Sequence, residues 1–245
     1  MNFDSTALVI LAMAMVAFLY AGVGHGGASG YLAVMALTGF LPEVMKPTAL
    51  ALNIATSSVA AFLFFRAGYF SWRLFVPLAV FSIPCAYLGG RWMAPTAVFN
   101  TLVAFCLLCA AAGLILRRTA REREVMPSLA VLGAAGAGIG FVSGLVGVGG
   151  GIFLTPLMLF GGWCRPKTAS AVSALFIFVN SAAGLLGKPG SIAKIPPEFP
   201  WFLAAVLAFG AAGSFWGSGL ATNLRLRRAL AAVLVIAAVK MVVTI

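Results

Sequence analysis

The chain has little charge. Of its 245 residues 9% are charged, with five acids against sixteen Lys and Arg and a single histidine. A soluble domain carries about 25% charged residues. A chain that is 62% hydrophobic cannot cover a water-facing surface with so few charges. Polar/apolar alternation is missing from its apolar runs, which excludes a transmembrane β-barrel. The start, Met1-Asn2-Phe3-Asp4, lacks the basic residues of a signal peptide, so the first apolar segment is expected to stay in the mature protein. Acids are absent from the middle of every apolar run: Asp4, Glu43, Glu122, Glu124 and Glu198 sit at segment ends or in loops. A cation carrier or a carboxylate proton relay ordinarily needs an intramembrane acid. Metal-ligand clusters and a nucleophile–base pair are missing too, which argues against an intramembrane enzyme and leaves no cofactor to expect. Cys106 and Cys109 have redox-motif spacing but fall inside a membrane segment, where a structural thiol pair is the plainer reading. The net charge of +11 signals topology rather than nucleic acid.

What is present is a run of apolar segments: 5–21, 28–41, 48–65, 73–92, 97–116, 128–146, 150–161, 168–187, 200–221 and 227–245. The expected fold is therefore an all-α polytopic membrane protein. Segments 28–41 and 150–161 would give only about 21 and about 18 Å of helix, less than the hydrocarbon core of about 30 Å. Each follows a glycine-rich break, so broken or re-entrant helices are expected there.

Basic residues set the orientation. Arg66, Arg73, Arg117, Arg118, Arg121, Arg123, Arg165, Lys167, Arg225, Arg227 and Arg228 fall on one side, and Lys46, Arg91, Lys188, Lys194 and Lys240 on the other. The positive-inside rule puts the first set in the cytoplasm, with both termini outside. The linker 117–127 divides a first membrane repeat, 1–116, from a second, 128–245. Gly24-His25-Gly26-Gly27 matches Gly147-Val148-Gly149-Gly150, "KPTALALN" (Lys46 to Asn53) matches "PKTASAVS" (Pro166 to Ser173), and Gly89 is paired with Gly217. Two repeats of five segments insert in opposite orientations, the inverted-repeat design of secondary transporters.

In such transporters the substrate lies where discontinuous helices end. Helix N-termini attract anions, and glycines let the backbone approach a ligand. Gly24, His25, Gly26, Gly27 and Ser29 in the first break, and Gly147, Gly149, Gly150 and Gly151 in the second, are the candidate binding residues. Asn53, Thr56 and Ser57 share one helix face; Ser170, Ser173, Asn180 and Ser181 share an arc of another. These faces either line a polar path or act as interhelical glue. His25 either adds a titratable charge to the site or bonds the broken backbone. Gly136, Gly140 and Gly144 repeat at helix-packing spacing. Lys46 and Lys167 either draw anions to each mouth or anchor helix ends.

The stretch "GLVGVGGGIFLTPLMLFGG", followed by "KTASAVSALF", resembles the sulfite exporter TauE/SafE family of membrane transporters. The resemblance spans both repeats. In the first, His25 stands among the glycines and Ala33 replaces the equivalent of Pro156. The resemblance implies movement of sulfur-containing anions such as sulfite, sulfonates or sulfoacetate across the cell (cytoplasmic) membrane. The expected partners are a small anionic substrate and the lipid bilayer, with no nucleic acid; a homodimer is compatible with the sequence. An anion channel and a non-transporting membrane accessory protein are the alternatives.

Overall fold

The structure is a computed structural model that describes residues 3–22, 27–92, 94–115, 125–220 and 224–243. Among these residues it has no strand. The helices are α1 (Phe3–Gly22), α2 (Ala28–Leu37), α3 (Pro42–Arg66), α4 (Trp72–Arg91), α5 (Thr96–Ile115), α6 (Leu129–Val146), α7 (Gly151–Phe160), α8 (Pro166–Leu186), α9 (Phe199–Leu220) and α10 (Leu224–Val243), with a 3-10 turn at Pro189–Lys194. Each apolar segment of the sequence is one helix. Five helices among the described residues are long and apolar enough to span a membrane: Pro42–Arg66, Trp72–Arg91, Thr96–Gly113, Leu129–Val146 and Pro166–Leu186. The protein is an all-helical, multi-pass membrane protein. Most of the linker 117–127 lies outside the described residues, as do Gly24, His25 and Gly26.

Local chemistry places the helix ends. Proline opens α3 and α8, where a missing N–H costs nothing. Ser128 caps α6 by accepting from Val131 N–H at 3.4 Å. Large apolar side chains such as Leu8, Phe62, Leu63, Val80 and Trp201 are left exposed on the outer surface, where lipid rather than water meets them.

The two halves of the chain interleave. The most extensive packing sets α4 on α6, α1 on α9, α5 on α10 and α3 on α8. One buried cluster joins residues of α1, α2, α3, α5, α9 and α10 with Val146 and Val148 at the end of α6; the other joins α4, α6, α7 and α8. Small residues allow the closest approaches. A Cβ on Gly136, Gly140 or Gly144 would fall on the carbonyl of Leu78, Ser82 or Ala86 in turn, so α4 and α6 run parallel with their backbones in contact. The stripe does the packing work its spacing suggested. A Cβ on Gly89 would strike the Phe141 carbonyl, and one on Gly213 the Phe18 carbonyl. Gly217, paired with Gly89 by the sequence, lies among residues whose surroundings are not described.

Described basic residues from the two sets lie at two ends. At one end Lys167 meets Tyr69, and Val125 N–H donates to the Gly162 carbonyl at 2.8 Å, so the 67–71, 161–165 and linker segments adjoin. Phe70 and Trp72 meet edge to face there with centroids 4.8 Å apart, in keeping with an interfacial aromatic belt. At the other end Lys194 pairs with Glu43, Lys46 Nζ bonds to the Gly90 carbonyl at 2.9 Å, and Lys240 Nζ to the Leu37 carbonyl at 2.7 Å.

Candidate functional site

The second glycine break turns α6 back into α7. Gly147 ends α6 with φ +90°, its N–H donating to the Ser143 carbonyl at 2.8 Å. Gly149 and Gly150 follow with φ +73° and +83°. A side-chain-bearing residue resists this left-handed region, so glycine is required here for the fold itself. Residues 143–151 are all buried. Helix α7 then starts at Gly151 and runs antiparallel to α8, with Thr155 Oγ1 donating to Ser173 Oγ at 2.8 Å. It ends at the Lys167 end, from which α6 also starts. Ten residues give it about 15 Å, half the hydrocarbon thickness. The expectation of a re-entrant or broken helix is therefore met by a returning hairpin. Gly150 caps α7 and has no side chain to offer, so the cap position supplies no acceptor to the leading N–H groups of the helix.

Helices α3 and α8 cross against this turn. Asn53 Nδ2 donates to the Gly147 carbonyl at 3.3 Å. A Cβ on Gly149 would lie 3.1 Å from both Asn53 Nδ2 and Ser181 Oγ. The backbone of Gly149 is thus bracketed by polar groups of two helices. Ser57 donates to the Asn53 carbonyl, and Thr56 to the Leu52 carbonyl at 2.9 Å, so both hydroxyls are taken up within α3. Asn180 Nδ2 donates to the Phe176 carbonyl at 2.8 Å. Ser170 is half-buried on α8. Two polar atoms at the crossing have no protein partner: Asn180 Oδ1 and Ser181 Oγ, on residues that are 0% exposed. Ser143 Oγ, one turn before Gly147, is a third. Buried polar groups are nearly always satisfied, and an unsatisfied one costs about 1–3 kcal/mol.

In the first break, Gly24, His25 and Gly26 lie outside the described residues. Gly27 caps α2, again without a side-chain bond, and a Cβ there would strike the ring of Tyr31. Ser29 is buried with its Oγ 3.2 Å from Tyr20 OH. Both α2 and α7 are ten-residue helices behind glycines. The described contacts of Gly27 and Ser29 stay within the first half, whereas Asn53, Gly147, Gly149 and Ser181 form one cluster across the two halves.

The sequence profile described as sulfite exporter TauE/SafE matches residues 9–241. The chain belongs to this family. It is also 38% identical over 246 residues to a protein of Sinorhizobium fredii (strain NBRC 101917 / NGR234) named "Probable membrane transporter protein y4hK", covering 97% of this chain and 99% of that one. No solved structure matches. The protein is a membrane transporter, and the glycine signature that carries the family likeness is the α6–α7 turn just described.

For a transporter of the TauE/SafE family the surrounding charges matter. Among the described residues, no group of His, Cys, Asp and Glu is arranged to hold a metal ion. Of the two readings of Lys46, the structure favours the structural one: its ammonium bonds to the carbonyls of Gly89 and Gly90 in the last turn of α4. Lys167 is exposed, on Tyr69. None of the four cysteines is in a disulfide. Thr155 and Ser143 escaped the sequence reading. Thr155 sits in an apolar segment, and only its contact with Ser173 marks it. Ser143 lies within the glycine stripe and reads as a small packing residue.

Proposed function

We propose that this transporter moves small sulfur-containing anions, such as sulfite, sulfonates or related organic anions, across the cytoplasmic membrane by alternating access. The anion binds at the α6–α7 turn. The observation that carries this reading is the unpaired Ser181 hydroxyl beside Gly149, where α7 begins with an uncapped turn, with the unpaired Asn180 Oδ1 on the preceding residue of α8. A hydroxyl and leading helix N–H groups are donors suited to an oxyanion. Asn180 Oδ1 is an acceptor, which suits an anion that also carries an O–H or N–H. Asn53 holds the turn in place and can shift its Nδ2 to the ligand.

The halves 1–116 and 128–245 act as inverted repeats about the α3–α8 crossing. The reciprocal packing of α4 on α6 and α1 on α9, with Gly89 on Phe141 and Gly213 on Phe18, supports this. On that symmetry the first break, with Gly24 to Gly27, presents α2 to the same path. The linker 117–127 faces the cytoplasm, and both termini face outward.

The test is flux in proteoliposomes with radiolabelled sulfite and methanesulfonate. Saturable, mutually competing flux that falls in Ser181→Ala and Asn53→Ala is the expected result. Flux that never saturates would favour the channel reading, and none with any sulfur oxyanion would overturn the substrate class.

A further inference from the structure

The crossing helices α3 and α8 are tied at both ends of the molecule by reciprocal contacts. At one end, Glu43 in the first turn of α3 is ion-paired with Lys194, in the 3-10 turn that follows α8. At the other end, Lys167 in the first turn of α8 donates from Nζ to Tyr69 OH at 3.0 Å and lies 4.7 Å from the ring centre. Tyr69 stands in the loop that follows α3. Each contact joins the start of one crossing helix to the connector leaving the other. Asn53, near the middle of α3, and Gly149 beside Ser181, which is in the last third of α8, lie between the two, nearer the Lys194 contact.

We propose that these two contacts are the gates of the transport path, opened one at a time: Glu43–Lys194 closes one face and Lys167–Tyr69 closes the other. The inference rests on the alternating-access reading, not on the identity of the anion. Its chemistry fits groups that must part and rejoin in every cycle. The Lys194 and Glu43 side chains are 41% and 49% exposed, and Lys167 and Tyr69 are exposed too. An exposed ion pair contributes little net free energy, and neither does an exposed cation on an aromatic face. A buried pair would strand two charges on opening. The partners also belong to different helices and to short connectors. The turn at Pro189–Lys194 touches both α3 and the end of α8, so a tilt of α3 against α8 strains its contact with Glu43 without unfolding either helix.

The test needs no substrate. In a chain with Cys85, Cys106, Cys109 and Cys164 replaced by Ala, Ser181→Cys reports access to the crossing by a membrane-impermeant maleimide added from either face. Two pairs are closed by oxidation beforehand: Glu43→Cys with Lys194→Cys, and Tyr69→Cys with Lys167→Cys. Closing a pair is expected to cut reporter labelling from its own face by about tenfold or more while labelling from the opposite face persists. Ser173→Cys serves as a second reporter should Ser181→Cys fail to fold. Without cross-links, Glu43→Gln is expected to raise labelling from its own face about two- to fivefold, the population shift that loss of one exposed pair permits. Labelling unchanged by either cross-link, or lowered equally from both faces by each, overturns the proposal. If the reporter responds as expected while sulfite and methanesulfonate show no flux, the gates stand and the substrate reading falls.

Discussion

Asn53 on α3 and Gly147 at the end of α6, 94 residues apart in the chain, are joined by a hydrogen bond from Asn53 Nδ2 to the Gly147 carbonyl. A helix of the first half therefore holds the turn of the second. Asn53 is buried, and so is the turn. Neither partner can turn to water if the bond is lost.

Asn53→Ala is expected to lower the stability of the purified protein by about 1–3 kcal/mol, the cost of leaving a buried carbonyl without a donor. Thermal unfolding in detergent measures this. Thr56→Val on the same helix should cost less, because that hydroxyl only adds a bond to a carbonyl already within α3. Equal losses for the two variants would mean that Asn53 does not hold the turn.

Glycine substitutions should separate two kinds of position. Gly149→Ala and Gly150→Ala place a Cβ where φ is +73° and +83°, at about 1–2 kcal/mol for the conformation alone. At Gly149 the new methyl also meets Asn53 and Ser181 at 3.1 Å. Transport per folded molecule should fall in both. Gly144→Val instead puts its side chain on the Ala86 carbonyl, so it should reduce folded yield. Gly138→Ala meets nothing within 4 Å and should leave yield and flux unchanged. Quantified yield and flux on the same preparations check the ranking.

Much of this arrangement is legible in the sequence. Hydropathy and glycine content reveal the helices, including both short ones, because a membrane segment must satisfy its own backbone. The four-residue glycine spacing reveals the α4–α6 contact side, and the division of lysine and arginine anticipates the two ends. What the chain does not reveal is which polar groups remain unpaired. Ser173, Asn180 and Ser181 look alike on a helical wheel. Only the packed structure gives Ser173 a partner in Thr155 and gives none to Ser181. Likewise, the contact of Gly213 with the Phe18 carbonyl of α1 has no sequence signal of its own.

The two ends make a topology prediction. With the native cysteines replaced, Ala67→Cys in the loop after α3 should react with impermeant maleimide only from the cytoplasm. Ala193→Cys in the 3-10 turn should react only from outside. Both residues are exposed, and they lie at the Tyr69 and Lys194 ends. The reverse pattern would overturn the orientation drawn from the positive-inside rule.

Ser181 offers the sharpest separation of ligand binding from structural support. If its hydroxyl serves the fold, Ser181→Ala should destabilise the protein. If it serves the ligand, the unliganded protein holds a buried hydroxyl that has no partner. Removing that hydroxyl should leave stability unchanged or raise it by up to about 1–3 kcal/mol. The loss should then surface only when ligand is added. A ligand at 100 times its Kd stabilises the protein by about 2.7 kcal/mol, and a tenfold weaker affinity removes about half of that. The expected outcome for Ser181→Ala is therefore a melting temperature at or above the parent's without sulfite and a smaller upward shift with it. Ser57→Ala is the comparison: its hydroxyl only adds a bond to the Asn53 carbonyl within α3, so its removal should change the unliganded melting temperature little and spare the sulfite shift. A Ser181→Ala protein that melts lower without sulfite and shifts as far with it would make Ser181 a structural residue and move the anion elsewhere along α8.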